Sequence, residues 1–88
     1  MANRRALKRN IDSICADILA ECVALSLYGQ NRDDGKALIY SIIKMHDDYI
    51  RRVSHVEPGM KAKDYFRNLR DSFVAQVDEI IDQINHIA

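Results

Sequence analysis

Apolar residues recur along this chain at steps of three and four, the spacing that places side chains on one face of an α-helix, in three runs separated by two short breaks. In the first run Leu7, Ile11, Ile14, Ile18, Cys22 and Leu25 form the stripe. They predict a helix from about Arg4 to Tyr28, with Asn3 as N-cap and Gly29 leaving the helix in a left-handed conformation. Gln30 to Asp34 make the connection, and Asp33 or Asp34 is placed to cap the next helix. That helix runs to about His55 on a near-heptad seam of Ile39, Ile42, His46, Tyr49, Val53 and Val56, in which His46 is the polar member. Glu57, Pro58 and Gly59 end it, because the residue before proline is pushed out of the helical region and glycine accepts the turn. The third run, Ala62, Phe66, Leu69, Phe73, Val77, Ile80, Ile84 and Ile87, predicts a helix over most of Met60 to Ile87.

Three helices joined by short connections are most simply antiparallel neighbours, so the expected architecture is an all-α, three-helix antiparallel (up-down-up) bundle in one domain spanning 1–88. With only 3 Gly and 1 Pro, the chain has too few turn signals for a sheet. A chain of 88 residues buries only roughly 60 to 65% of its unfolded surface, so its core must be well packed or shared with another subunit. Periodicity alone leaves open whether the third helix packs on its own first helix or on that of a second chain. The basic start followed by an apolar stretch resembles a secretory signal, but Asp17 and Glu21 interrupt it. A signal needs about 7 to 15 uninterrupted apolar residues and a membrane span about 20. The expectation is therefore a cytoplasmic protein without membrane contact.

Thirteen basic residues balance 13 acidic ones, which gives no overall bias toward nucleic acid or membrane surfaces. Folded as an up-down-up bundle, the chain separates those charges. One end collects Arg4, Arg5, Lys8, Arg9, Arg51, Arg52, Lys61, Lys63, Arg67 and Arg70 against six carboxylates. The other holds Asp17, Glu21, Asp33, Asp34, Asp78, Glu79 and Asp82 against three cations, so the two ends carry opposite surpluses of four charges. Arg4, Arg5, Lys8, Arg9, Arg51, Arg52, Lys63 and Arg67 are the candidate anion-binding set, since clustered cations raise the local potential and release counterions from a polyanion. The same residues also suit an ordinary solvated surface with Asp47–Arg51 and Asp48–Arg52 pairs, each contributing about 0.3 to 0.5 kcal/mol. That alternative leaves unexplained why the first turns of helix 1 carry four cations, against the helix dipole.

Helix 1 has a second apolar stripe. Ala16, Ala20, Val23, Ala24 and Leu27 fall roughly opposite Ile11, Ile14, Ile18 and Leu25, whereas a bundle helix needs one apolar arc. Alanine is the best helix former and sits harmlessly on an exposed face, but Val23 and Leu27 make this stripe the candidate interface. A second copy, giving a homodimer, or another helical protein is the expected partner; nucleic acid is not favoured.

The chemistry-bearing residues form no catalytic pattern. Cys15 and Cys22 lie about 10 Å apart along one helix, too far for a mutual disulfide, match no zinc spacing with His46, and read as buried structural thiols. His46 is a candidate pH switch or base, and otherwise a register-setting seam residue bonded to a tyrosine or a backbone carbonyl. Asp78, Asp82 and His86 share a face of helix 3 and read as a solvated face with an Asp82–His86 pair rather than a metal site. Tyr28, Tyr40, Tyr49, Tyr65, Phe66 and Phe73 sit mostly at core spacing, which gives no base-stacking surface. No nucleophile and base, phosphate loop or paired carboxylates are recognisable, so neither enzymatic activity nor a cofactor is expected. Arg4, Arg5, Leu7, Lys8, Ile11, Asp12, Cys15, Asp17, Glu21 and Cys22 together resemble the N-terminal helix of a group of small all-helical bacterial proteins. The resemblance covers about a quarter of the chain and implies no activity. The expected function is protein–protein contact through helix 1, with an anionic-ligand or nucleic-acid-binding module at the basic end as the alternative.

Overall fold

A computed structural model describes residues 4–29 and 32–87 as three helices, α1 (Arg4–Tyr28), α2 (Arg32–Ser54) and α3 (Ala62–Ile87). They form the all-α up-down-up bundle, 47 × 19 × 18 Å in extent. Asn3, Gln30 and Asn31 lie outside the described residues.

Each boundary has a local cause. Gly29 ends α1, but not as a left-handed cap, since the positive φ among the glycines belongs to Gly59, at 85°. Gly29 still donates its N–H to the Leu25 carbonyl at 3.0 Å, and a Cβ there would lie 2.6 Å from that oxygen, so the requirement is close approach. Asp33 and Asp34 fall inside the first turn of α2, and Arg51 and Arg52 in its last turn, each complementing the helix dipole. After α2 the chain turns through Pro58 and Gly59. Tyr65 then ties α3 back to α2, its hydroxyl shared between the Arg52 and His55 carbonyls at 2.9 Å each. This satisfies oxygens that a helix C-terminus leaves without partners.

The core confirms the α3 stripe and corrects the phase of the other two. Phe66, Leu69, Phe73, Val77, Ile80 and Ile84 are buried as expected; Ala62 is exposed and Ile87 half-buried. On α1 the buried residues are Ile11, Cys15, Ile18, Cys22 and Ser26, while Ile14 is 38% exposed. On α2 they are Gly35, Leu38, Ile42, Met45, Tyr49 and Val53, so Leu38 and Met45 stand where Ile39 and His46 were expected. The reason is close packing of α1 on α2. A Cβ on Gly35 would come within 2.9 Å of the Ser26 backbone nitrogen, so the helices touch at Gly35 and Ser26 and turn small side chains toward each other. Ser26 spends its hydroxyl on the Val23 carbonyl at 2.9 Å, which removes the cost of burying it.

α3 contacts the pair through large side chains instead. Tyr49, fully buried, meets Phe73 edge to face with ring centroids 5.2 Å apart, and its hydroxyl bonds the Ser72 hydroxyl at 2.6 Å. That bond is what allows a phenol in the centre of the bundle.

A candidate interface on the outward side of α1

All five residues of the second stripe, Ala16, Ala20, Val23, Ala24 and Leu27, are exposed. Val23 is 39% and Leu27 55% exposed, on the side of α1 turned away from its buried stripe.

The apolar surface continues onto α2. Helical spacing puts Asp12, Ala16, Leu19 and Val23 on one face of α1, and Ile39, Ile43, His46 and Ile50 on one face of α2. The Asp12–His46 contact joins the two faces across the helix pair. Antiparallel packing then sets Ile43 and Ile39 beside the stretch of α1 that follows Asp12. Ile43 is 47% exposed, and Leu19, Ile39 and Ile50 are half-buried. Ile43 and Leu19 were missed by reading helix 1 alone. The available signal was the isoleucine count of α2, since Ile39, Ile42, Ile43 and Ile50 exceed what one buried stripe can hold.

At the margin of this face His46 is a clasp between helices rather than a seam residue, with its side chain 34% exposed. Its Nε2 lies 2.5 Å from Asp12 Oδ1 on α1, and its Nδ1 3.3 Å from Asp47 Oδ1 on α2, in place of the expected tyrosine or carbonyl. Both ring nitrogens face carboxylate oxygens, and only the imidazolium donates from both. The Asp12 hydrogen bond above all, and then Asp47, raises the ring's pKa against the opposing effect of desolvation. Asp47 is thereby drawn to His46, while the Asp48–Arg52 pair forms as expected at 2.9 Å.

The basic set is divided. Arg4, Arg5, Lys8 and Arg9 line one open cleft with Asp12. Arg4 also reaches over the Phe66 ring, 5.7 Å from its centroid. Arg52 is engaged by Asp48 and stacks 4.9 Å from the Tyr49 centroid. Arg51, Lys63 and Arg67 are exposed but do not line that cleft. Tyr28 and Tyr40 are exposed rather than part of the core, and Lys44 lies 4.9 Å from the Tyr40 centroid.

The acidic end holds an open groove of about 470 Å³ between α2 and α3, whose lining includes Asp34, Asp82 and His86. His86 bonds the Asp82 backbone carbonyl at 3.0 Å, not the carboxylate. Among the described residues no three His, Cys, Asp or Glu side chains are grouped to hold a metal ion. Cys15 and Cys22 are free and buried. Burial first, and Asp12 second, pushes the Cys15 thiol up to about 11; burial and then Glu21 raise that of Cys22. Both remain protonated near neutral pH, which makes them poor nucleophiles.

The ends of α1 set it apart from its neighbours. α2 and α3 have acidic residues in the first turn and basic ones in the last, whereas α1 has no acidic residue in its first turn and no basic residue in its last. No described helix is long and apolar enough to cross a membrane. No protein-family model, curated protein or solved structure matches the chain. The functional reading therefore rests on the chemistry of these surfaces.

Proposed function

We propose that this chain is a protein–protein interaction module that self-associates through the outward face of α1. The observation that carries the reading is the exposure of Val23 and Leu27, together with Ala16, Ala20 and Ala24, on the side of α1 opposite its core. A helix with one apolar arc has no use for a second, and Ile43 widens the surface onto α2. Small alanines let another helix approach closely, and the flanking Val23 and Leu27 supply apolar area to remove from water. The expected result is a dimer whose mass falls to that of a folded monomer in Val23→Glu or Leu27→Glu, measured by light scattering with circular dichroism as the folding control. Unchanged mass in both variants removes the reading.

A second reading has one observation in its favour, the cleft that Arg4, Arg5, Lys8 and Arg9 line at the start of α1. It predicts binding of a single-stranded oligonucleotide or heparin that weakens with salt. That binding falls when the cleft residues Arg4, Arg5, Lys8 and Arg9 are neutralised. Absence of binding at low salt, or survival after those substitutions, removes it.

A further inference from the structure

Resting on the self-association reading, the structure points to how the second copy is oriented: we infer that two α1 helices cross antiparallel at Ala16 and Ala20, so that Arg9 of each chain sits beside the C-terminal turn of its partner's α1. Two observations meet in this arrangement. The first is the order of side-chain sizes along the outward face, Ser13, Ala16, Ala20, Val23 and Leu27. The smallest side chains lie where crossing helices come closest, and the larger ones to one side. Antiparallel pairing about the alanines sets Val23 beside the partner's Ser13, and Leu27 beside the aliphatic stem of the partner's Arg9, where an apolar side chain covers methylenes and leaves the guanidinium free to reach.

The second observation is the charge at the ends of α1. Cations crowd its N-terminal turns, where the helix dipole is positive, and its last turn has no basic residue beside its carbonyls. Neither Lys8 nor Arg9 has an ion pair among the described residues. Antiparallel pairing corrects both ends at once, because it carries the cations of one copy to the negative end of the other helix. It also lays the basic end of one bundle alongside the acidic end of its partner. Parallel pairing places basic end on basic end and corrects nothing.

The test joins the full-length chain bearing Ser13→Cys to the chain bearing Val23→Cys with a short thiol cross-linker. The native thiols do not compete, since Cys15 and Cys22 are buried. Antiparallel crossing brings position 13 of one chain to position 23 of the other and holds like positions about 15 Å apart along the axis, ten residues at 1.5 Å each. Mixed 13–23 products are the expected result; predominantly 13–13 and 23–23 products overturn the orientation while leaving self-association intact. A chain that stays monomeric by light scattering overturns both. Arg9→Glu, acting twice in a symmetric dimer, is expected to weaken dimerisation about tenfold, with Lys63→Glu on α3 as the control. Equal dimerisation in the two variants overturns the role given to Arg9.

Discussion

α1 and α3 are helices of similar length, 25 and 26 residues, in one small bundle, yet they spend their side chains differently. α3 has one continuous apolar stripe, Phe66 to Ile84, an acidic residue in its first turn and a basic one in its last. Its exposed apolar residues, Val74 and Ile81, border that stripe. The buried stripe and the end charges of α3 are those of a helix packed on its own chain. α1 buries two thiols and a serine against α2, carries a second apolar face outward, and has cations in its first turns with none in its last. The features that an ordinary bundle helix does not need are those that the proposed partner helix would use. Local mismatch concentrated in one element of an otherwise consistent sequence is where function is to be sought.

The largest expected effect lies on the α3 side. Phe73→Ala removes a ring packed on Tyr49 and is expected to cost about 3 to 5 kcal/mol in urea unfolding, because the surrounding side chains refill the cavity only in part. A cost near that of an exposed residue breaks the claim that α3 is held by its large side chains. Next comes the α1–α2 contact, where Gly35→Ala forces a methyl against the Ser26 backbone. Overpacking of this kind costs about 1 to 3 kcal/mol and the gain in helix propensity returns about 1, so a net loss of up to about 2 kcal/mol is expected. A stabilised Gly35→Ala variant means that the two helices have room to spare. Leu27→Glu sharpens the comparison from the other side, with monomer stability changed by no more than about 0.5 kcal/mol while association is lost.

Smallest is the pH dependence of the His46 clasp. Its folded pKa is raised above its unfolded value of about 6.5. The stabilisation is therefore fully present below about pH 6.5 and is lost as pH rises through the folded value. At a site whose side chain is 34% exposed the effect is modest, screened by solvent. Urea midpoints that fall between pH 6 and pH 8.5 in the unsubstituted chain, and fall less in His46→Gln, are the expected outcome. Equal slopes in the two chains contradict the clasp.

How far the sequence discloses this molecule also divides along the same line. α3 is readable because Phe66, Leu69, Phe73, Val77, Ile80 and Ile84 give one unbroken phase, whereas the phase one residue later, through Val74 and Ile81, is interrupted by Arg67, Arg70, Asp78 and Asn85. α1 and α2 each offer two phases, Ile14 or Cys15 and Ile39 or Leu38, since both members of each pair are apolar. The choice is made by the approach of Gly35 to Ser26, a contact between two helices that neither helix's own periodicity contains. His46 was misplaced for the same reason: a shift of phase moves it from the seam to its edge, within reach of Asp12. The outward stripe of α1 is legible from spacing alone, but its extension to Ile43 needs the Asp12–His46 contact to align the faces. Division of the basic set is legible only from neighbours such as Phe66 and Asp48, which engage Arg4 and Arg52.

The comparison of α1 with α3 is tested most directly by following amide chemical shifts of the unsubstituted chain through a dilution series. The account predicts concentration-dependent shifts at Ala16, Ala20, Val23 and Leu27 and at Ile43, with Val74 and Ile81 on α3 unmoved. Shifts confined to α3, or none anywhere up to millimolar concentration, contradict it.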